Sequence, residues 1–245
     1  MYWRNVFKRK NVWREFFPAF IIVVNSLTWN TFALSIFSNA INRLSISPME
    51  TLILFSVEYV GIGISAILGA IFFPRAKKIL LSLWMLAGTF VSVLLITIPN
   101  NDTSVNLLIS FFFGVSVGAG LPSSLAYFTD ATIVEHRGFF GGIAFFFVGF
   151  VTILFLLVML LLSNVAAILA VSLWRMIGSA LFLLTFKDTK AEHTKNVPSY
   201  ALILGKRELI LYLVPWMMFC LVNYMEVPIL QNVFGESYSI IGFIE

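Results

Sequence analysis

Long apolar runs alternate with short polar breaks along this chain, and the runs are of a length that crosses a bilayer. The pattern predicts helices over 17–42, 50–73, 79–98, 105–129, 138–163, 165–186 and 208–228. Each approaches or exceeds the roughly 20 residues that a helix rising about 1.5 Å per residue needs to span hydrocarbon. Beyond Pro228 a polar stretch runs from Gln231 to Ser239, and an apolar run restarts at Ile240 and stops at Glu245. An eighth helix is therefore expected to begin there and be cut off. The breaks among the first six runs are short, whereas 187–207 is polar, charged and interrupted by Pro198. The expected fold is all-α and polytopic. A basic segment 1–16 leads into a six-helix transmembrane bundle (17–186), a linker (187–207), and a seventh helix with the truncated start of an eighth (208–245).

Composition agrees with that class. The 245 residues are 60% hydrophobic and only 11% charged, against about 25% charged in soluble domains. The net charge of +4 and a pI near 9.3 raise the question of a nucleic-acid partner, but the basic residues fall in short clusters between apolar runs, which is how membrane helices are oriented. Arg4, Lys8, Arg9, Lys10 and Arg14 precede the first helix; Arg75, Lys77 and Lys78 separate the second and third. Arg137 lies between the fourth and fifth, and Lys187, Lys190, Lys195, Lys206 and Arg207 follow the sixth. Fourteen of the sixteen basic residues thus lie on one side; of the others, Arg43 is in an external loop and Arg175 inside a helix. The asymmetry predicts a cytoplasmic N-terminus, and a multi-pass protein of the plasma membrane is the expected setting. The first apolar run is far longer than the roughly 7–15 residues of a signal-peptide core, so it reads as a retained helix.

Little suggests enzyme chemistry. The single Cys220 excludes an internal disulfide and a multi-cysteine metal site, and His136 and His193 lie in polar linkers without the spacing of a zinc site. No nucleophile–base pair stands out. No cofactor is expected. An Asn101-Asp102-Thr103 sequon falls in a short loop, where a three-residue match has little weight.

The candidate chemistry sits inside the apolar runs. The first helix carries Asn25, Ser26, Thr28, Asn30, Thr31, Ser35, Ser38 and Asn39. A turn of about 100° per residue places Asn25, Thr28, Ser35, Ser38 and Asn39 on one broad face. That face suits a substrate cavity with Trp29 as an aromatic wall, or interhelical hydrogen bonds worth about 0.6–2 kcal/mol each. Glu58 lies well inside the second helix, with Gly61, Ser65 and Gly69 continuing its face. It is a candidate proton-titrating or substrate-contacting group. Alternatively it pairs with Arg175, at similar depth in the sixth helix, or Arg175 snorkels outward alone. In the fourth helix Ser110, Gly114, Gly118 and Pro122 recur every four residues, a spacing for close backbone approach ending in a kink. Ser116, Ser123 and Tyr127 are weaker cavity candidates.

From Gly114 through Tyr127, Asp130 and Arg137-Gly138 to Gly141 the sequence resembles the major facilitator superfamily, whose Gly-rich fourth helix ends in a tyrosine, an acidic residue and, seven residues later, Arg-Gly. The resemblance implies two six-helix bundles, a midplane cavity between them and alternating access by rocking. It assigns Asp130 and Arg137 to a cytoplasmic gate. The family's second signature, between the second and third helices, is matched in part: Gly69 keeps the first position, Ala76 replaces a glycine, and Lys77 and Lys78 supply the basic pair. Phe73 stands where that signature has aspartate, so the acidic partner is missing. Ser110 replaces an arginine of many proton-coupled members, and the fifth helix lacks the Gly-Pro pair of drug–proton antiporters.

The resemblance implies a secondary or facilitative carrier of a small solute, with a proton or ion as candidate coupling species. Asn25, Trp29, Asn30, Glu58, Ser123 and Tyr127 are the cavity candidates; Asp130, Arg137, Gly69, Lys77 and Lys78 are the gate candidates. Such a carrier needs the missing C-terminal bundle or a second copy. A non-transporting sensor or subunit on the same bundle is the rival expectation.

Overall fold

Ser47 starts the second helix with a reciprocal cap. Its hydroxyl accepts from the Glu50 backbone N–H at 3.2 Å, and the Glu50 carboxylate accepts from the Ser47 N–H at 2.8 Å. Pro48 occupies the first turn, where its missing N–H costs nothing. Ser163 caps the helix that begins at Asn164 by a one-way bond, its hydroxyl accepting from the Ala166 N–H at 3.4 Å. In a computed structural model, residues 10–44, 46–100, 102–132, 136–159 and 161–186 are described, with 206, 207, 211, 214 and 218.

Six helices are long and apolar enough to cross a membrane: α1 (Phe16–Asn42), α2 (Pro48–Phe73), α3 (Ala76–Ile98), α4 (Thr103–Ala131), α5 (Arg137–Met159) and α6 (Asn164–Thr185). No strand occurs among the described residues. The protein is an all-α, polytopic membrane protein, as its apolar pattern predicts. α5 is shorter than expected, because a turn at Leu161-Leu162 and the Ser163 cap end the run before Asn164. The chain divides into the unit Met1–Ala191, which holds all six helices, and the unit Glu192–Glu245. The expected linker, seventh helix and eighth-helix stub lie outside the described residues, except that 207, 211, 214 and 218 are helical.

Two helices are broken where proline interrupts the ladder. α2 runs on into α3 through Ala76, whose φ of −145° and ψ of 45° are not helical, two residues beyond Pro74. α4 breaks at Ala119-Gly120, and Pro122 begins its second segment, Leu121–Ala131. Gly120 is obligatory, because the Trp84 indole fills the space a Cβ would need.

The packing follows from small residues. A Cβ on Gly114 would strike the Glu58 backbone, and one on Gly118 the Ile62 backbone and the Ser65 hydroxyl. One on Gly69 would strike the Ala119 carbonyl. The paired positions rise together in number, so α2 and α4 run parallel, backbone against backbone. α1 is the most enclosed span and α5 the least. Two apolar clusters flank the middle of the bundle: one around Phe16, Trp84, Tyr127 and Phe140, the other around Trp29, Phe37, Phe113 and Val171.

Candidate functional site

Arg175 is the centre of the polar interior. Ser172, Arg175 and Ser179 lie on the buried face of α6, and Arg175 has no exposed surface. One guanidinium nitrogen, Nη1, donates to the Ser26 hydroxyl at 2.7 Å and the Asn25 side-chain oxygen at 3.2 Å, both on α1. The guanidinium carbon lies over two indoles, Trp29 of α1 at 4.5 Å and Trp84 of α3 at 4.3 Å from ring centroid to Cζ. Such stacking is electrostatically attractive and grows where water is excluded.

The surrounding bonds fix these two rings. Trp29 Nε1 donates to Ser92 Oγ at 2.8 Å, and Ser92 donates in turn to the Gly88 carbonyl at 2.7 Å. Gly88 has to be small, since a Cβ there would lie 3.0 Å from Arg175 Nε and 3.1 Å from the Trp29 ring. Trp84 Nε1 donates to the Ser116 carbonyl at 2.5 Å, near the α4 break. The Asn25 amide donates to the Trp174 carbonyl at 2.7 Å, beside Gly178, where a Cβ would overlap the Asn25 side chain. A permanently charged side chain is thus held by dipoles and π faces, with no carboxylate among the described residues within ion-pair distance.

The alternative of a Glu58–Arg175 ion pair is not realised. Glu58 is buried against the α4 backbone at Gly114, whereas Arg175 is enclosed by α1 and α3. Both Glu58 carboxylate oxygens lack a hydrogen-bond partner, as do Nε and Nη2 of Arg175. Nor does Arg175 snorkel, since its whole side chain is enclosed.

The other cavity candidates are also interior. Asn25, Trp29, Ser123 and Tyr127 are buried, and Asn30 is half-buried with its side-chain oxygen unpartnered. Tyr127 meets the Phe182 ring edge-on at 5.8 Å and stacks on Phe186 at 5.7 Å. A groove of about 480 Å³ between α3 and α4 is lined by Leu83, Trp84, Ala87, Val91, Phe112 and Val115 among others. None of the six cavity candidates lines it.

The gate candidates gather at one end of the bundle. Lys77 Nζ lies 2.5 Å from Asp130 Oδ2, across 53 residues of sequence, and this is the one ion pair among the described residues. Arg137 donates from Nη2 to the Thr129 carbonyl at 2.9 Å. Lys78 lies 5.6 Å over the Phe186 ring and Lys77 5.3 Å over Phe73. Gly69 seats α2 on Ala119, close to the α4 break. Among the described residues no three His, Cys, Asp or Glu side chains come together as a metal site would require.

Sequence reading passed over Ser26, Trp84 and Gly88 as site residues. A tryptophan or glycine in an apolar run carries no periodic signal beyond core packing; the only clue was Arg175, which has to find partners somewhere. In comparisons with known proteins, no family model, curated protein or solved structure matches the chain.

Proposed function

We propose that this chain is a carrier component of the major facilitator type, moving a small solute by alternating access with energy drawn from a gradient. The observation that carries the reading is the Lys77–Asp130 bridge. The family resemblance assigned both residues to a charged gate, from two motifs that share no local sequence. The bridge ties the start of α3 to the end of α4, and Arg137 caps the adjacent turn through Thr129. In this reading the bridge end is cytoplasmic and the membrane is the plasma membrane. The Lys77–Asp130 pair stands in for the aspartate that Phe73 replaces. The low cover of α2 and α5 by the rest of the bundle also suits helices that meet a second bundle.

One observation favours the rival, a non-transporting sensor or subunit: Asn25, Trp29 and Tyr127 are consumed in helix–helix contacts rather than left facing open space.

Flux decides between them. The full reading frame, reconstituted in liposomes, is offered pooled sugars, amino acids and organic anions under imposed ion gradients, with uptake read by mass spectrometry. The carrier reading expects one solute class to enter above protein-free liposomes, and Asp130→Lys to reduce that entry at least tenfold. Folded protein that moves no solute class overturns it.

A further inference from the structure

We infer that the groove between α3 and α4 holds the acyl chain of one membrane phospholipid, extended along α3 as a resident part of the bundle. The groove has a volume of about 480 Å³, and its α3 wall runs over 80–94, inside the span Ala76–Ile98. It opens sideways past Leu83, Phe90 and Phe112, all exposed, so its mouth faces hydrocarbon. Its described lining offers a polar solute nothing to bond. The Trp84 N–H is given to the Ser116 carbonyl, and the Ser116 hydroxyl to the Phe113 carbonyl at 2.8 Å. The other lining residues, among them Leu80, Ala87, Val91 and Val115, are apolar. A polar occupant would leave its own groups unpaired in a lipid-facing site, which is costly. The site stands whether or not the protein carries a solute.

Dimensions narrow the occupant further. From Leu80 to Leu94 the α3 wall rises about 21 Å. Spread over that length, the volume corresponds to a cross-section of about 23 Å². A helix with its side chains is about 10 Å across, so neither a second copy nor another bundle can lay a helix in this groove. A single extended hydrocarbon chain is the matching shape. One leaflet supplies about 15 Å of the hydrocarbon core, so a chain filling the groove crosses the midplane. Boundary lipid has no reason to do so, whereas a chain held between two helices gains dispersion contact along its whole length. Trp84 and Ala119 line the groove and also form the break in α4, where the Trp84 indole packs on Gly120. The chain therefore lies beside the point where α4 departs from regular helix. On α5, Phe146 and Ile153 are as open to lipid as Leu83 and Phe90, but they lie outside the groove.

The test is photo-crosslinking on the full chain. Liposomes carry a trace of phosphatidylcholine with a diazirine on one acyl chain. The protein is extracted in mild detergent, washed free of loose lipid and then illuminated, and adducts are mapped by peptide mass spectrometry. Label on 80–94 and 112–119 is expected to survive the washing. Label around Phe146 and Ile153 is expected to fall at least tenfold relative to illumination in the liposome. Ala87→Phe, which fills the groove from an exposed position, is expected to cut the retained label at least tenfold in folded protein. Should that variant fail to fold, Phe112→Ala, which lowers the exposed rim on α4, is expected to cut it at least threefold. Groove label lost as readily as the α5 label, or retained unchanged in a folded variant, overturns the site. So does a protein–protein adduct through α3 in its place, which would make the occupant a second copy.

Discussion

Lys77 on α3 and Asp130 on α4 are joined at 2.5 Å although 53 residues separate them in the chain. Both side chains keep some exposure, 11% for Lys77 and 26% for Asp130, so the pair is worth about 1 kcal/mol or less to stability. Lys77→Ala and Asp130→Asn should each lower the unfolding free energy in detergent only slightly. The charge-swapped double variant, Lys77→Asp with Asp130→Lys, should recover most of the loss. A double-mutant cycle measures this; single losses that simply add would show that the two groups are uncoupled.

Arg175 should behave very differently. Arg175→Ala empties a buried site and strips both indoles of their cation, and we expect a loss of about 3–5 kcal/mol in unfolding free energy. Arg175→Lys keeps the charge but loses the planar fork, so an intermediate loss is expected. Trp84→Phe keeps a ring and gives up the bond to Ser116, at a cost of about 1 kcal/mol. Equal effects for alanine and lysine at position 175 would mean that charge contributes nothing there.

The seam between α2 and α4 gives a contrast between glycines. Gly114→Ala and Gly118→Ala push a methyl into the facing backbone and should cost about 1–3 kcal/mol, with the helices forced apart. Gly149→Ala on α5 meets nothing within 4 Å. It should be neutral or stabilise by up to about 1 kcal/mol, since alanine favours helix. Thermal unfolding of the three variants side by side checks this, and a destabilised Gly149→Ala would contradict the exposure of that face.

Orientation has its own test. In a Cys220→Ser background, a cysteine placed at Asp102 should react with an impermeant maleimide on intact cells. One placed at Lys78 should react only after permeabilisation. Both positions are exposed. The reverse pattern would put the N-terminus outside.

How far the sequence could be read depends on which coordinate was asked for. Helix existence and depth follow from apolar length, which is why all six spans fall close to their expected places. The azimuth of each helix does not. Apolar length gives Glu58 and Arg175 a position along their helices, but whether they meet depends on rotation about two axes. That rotation is set by glycine contacts on α2 and by the indoles around α6. Asn25 was recognised as an inward polar residue, yet its partners, Trp174 and Arg175, are about 150 residues away. The Lys77–Asp130 contact was accessible only through resemblance, because nothing local to either residue names the other.

Trp84 has a use that its packing provides without any engineering. Its indole touches a guanidinium, the α4 carbonyl of Ser116 and the Cα side of Gly120, so three helices converge on one fluorophore. Any movement that parts α3 from α4 or α6 changes the polarity around that ring and shifts its emission. A variant keeping Trp84 as its sole tryptophan would turn the centre of this bundle into an optical gauge of its own opening.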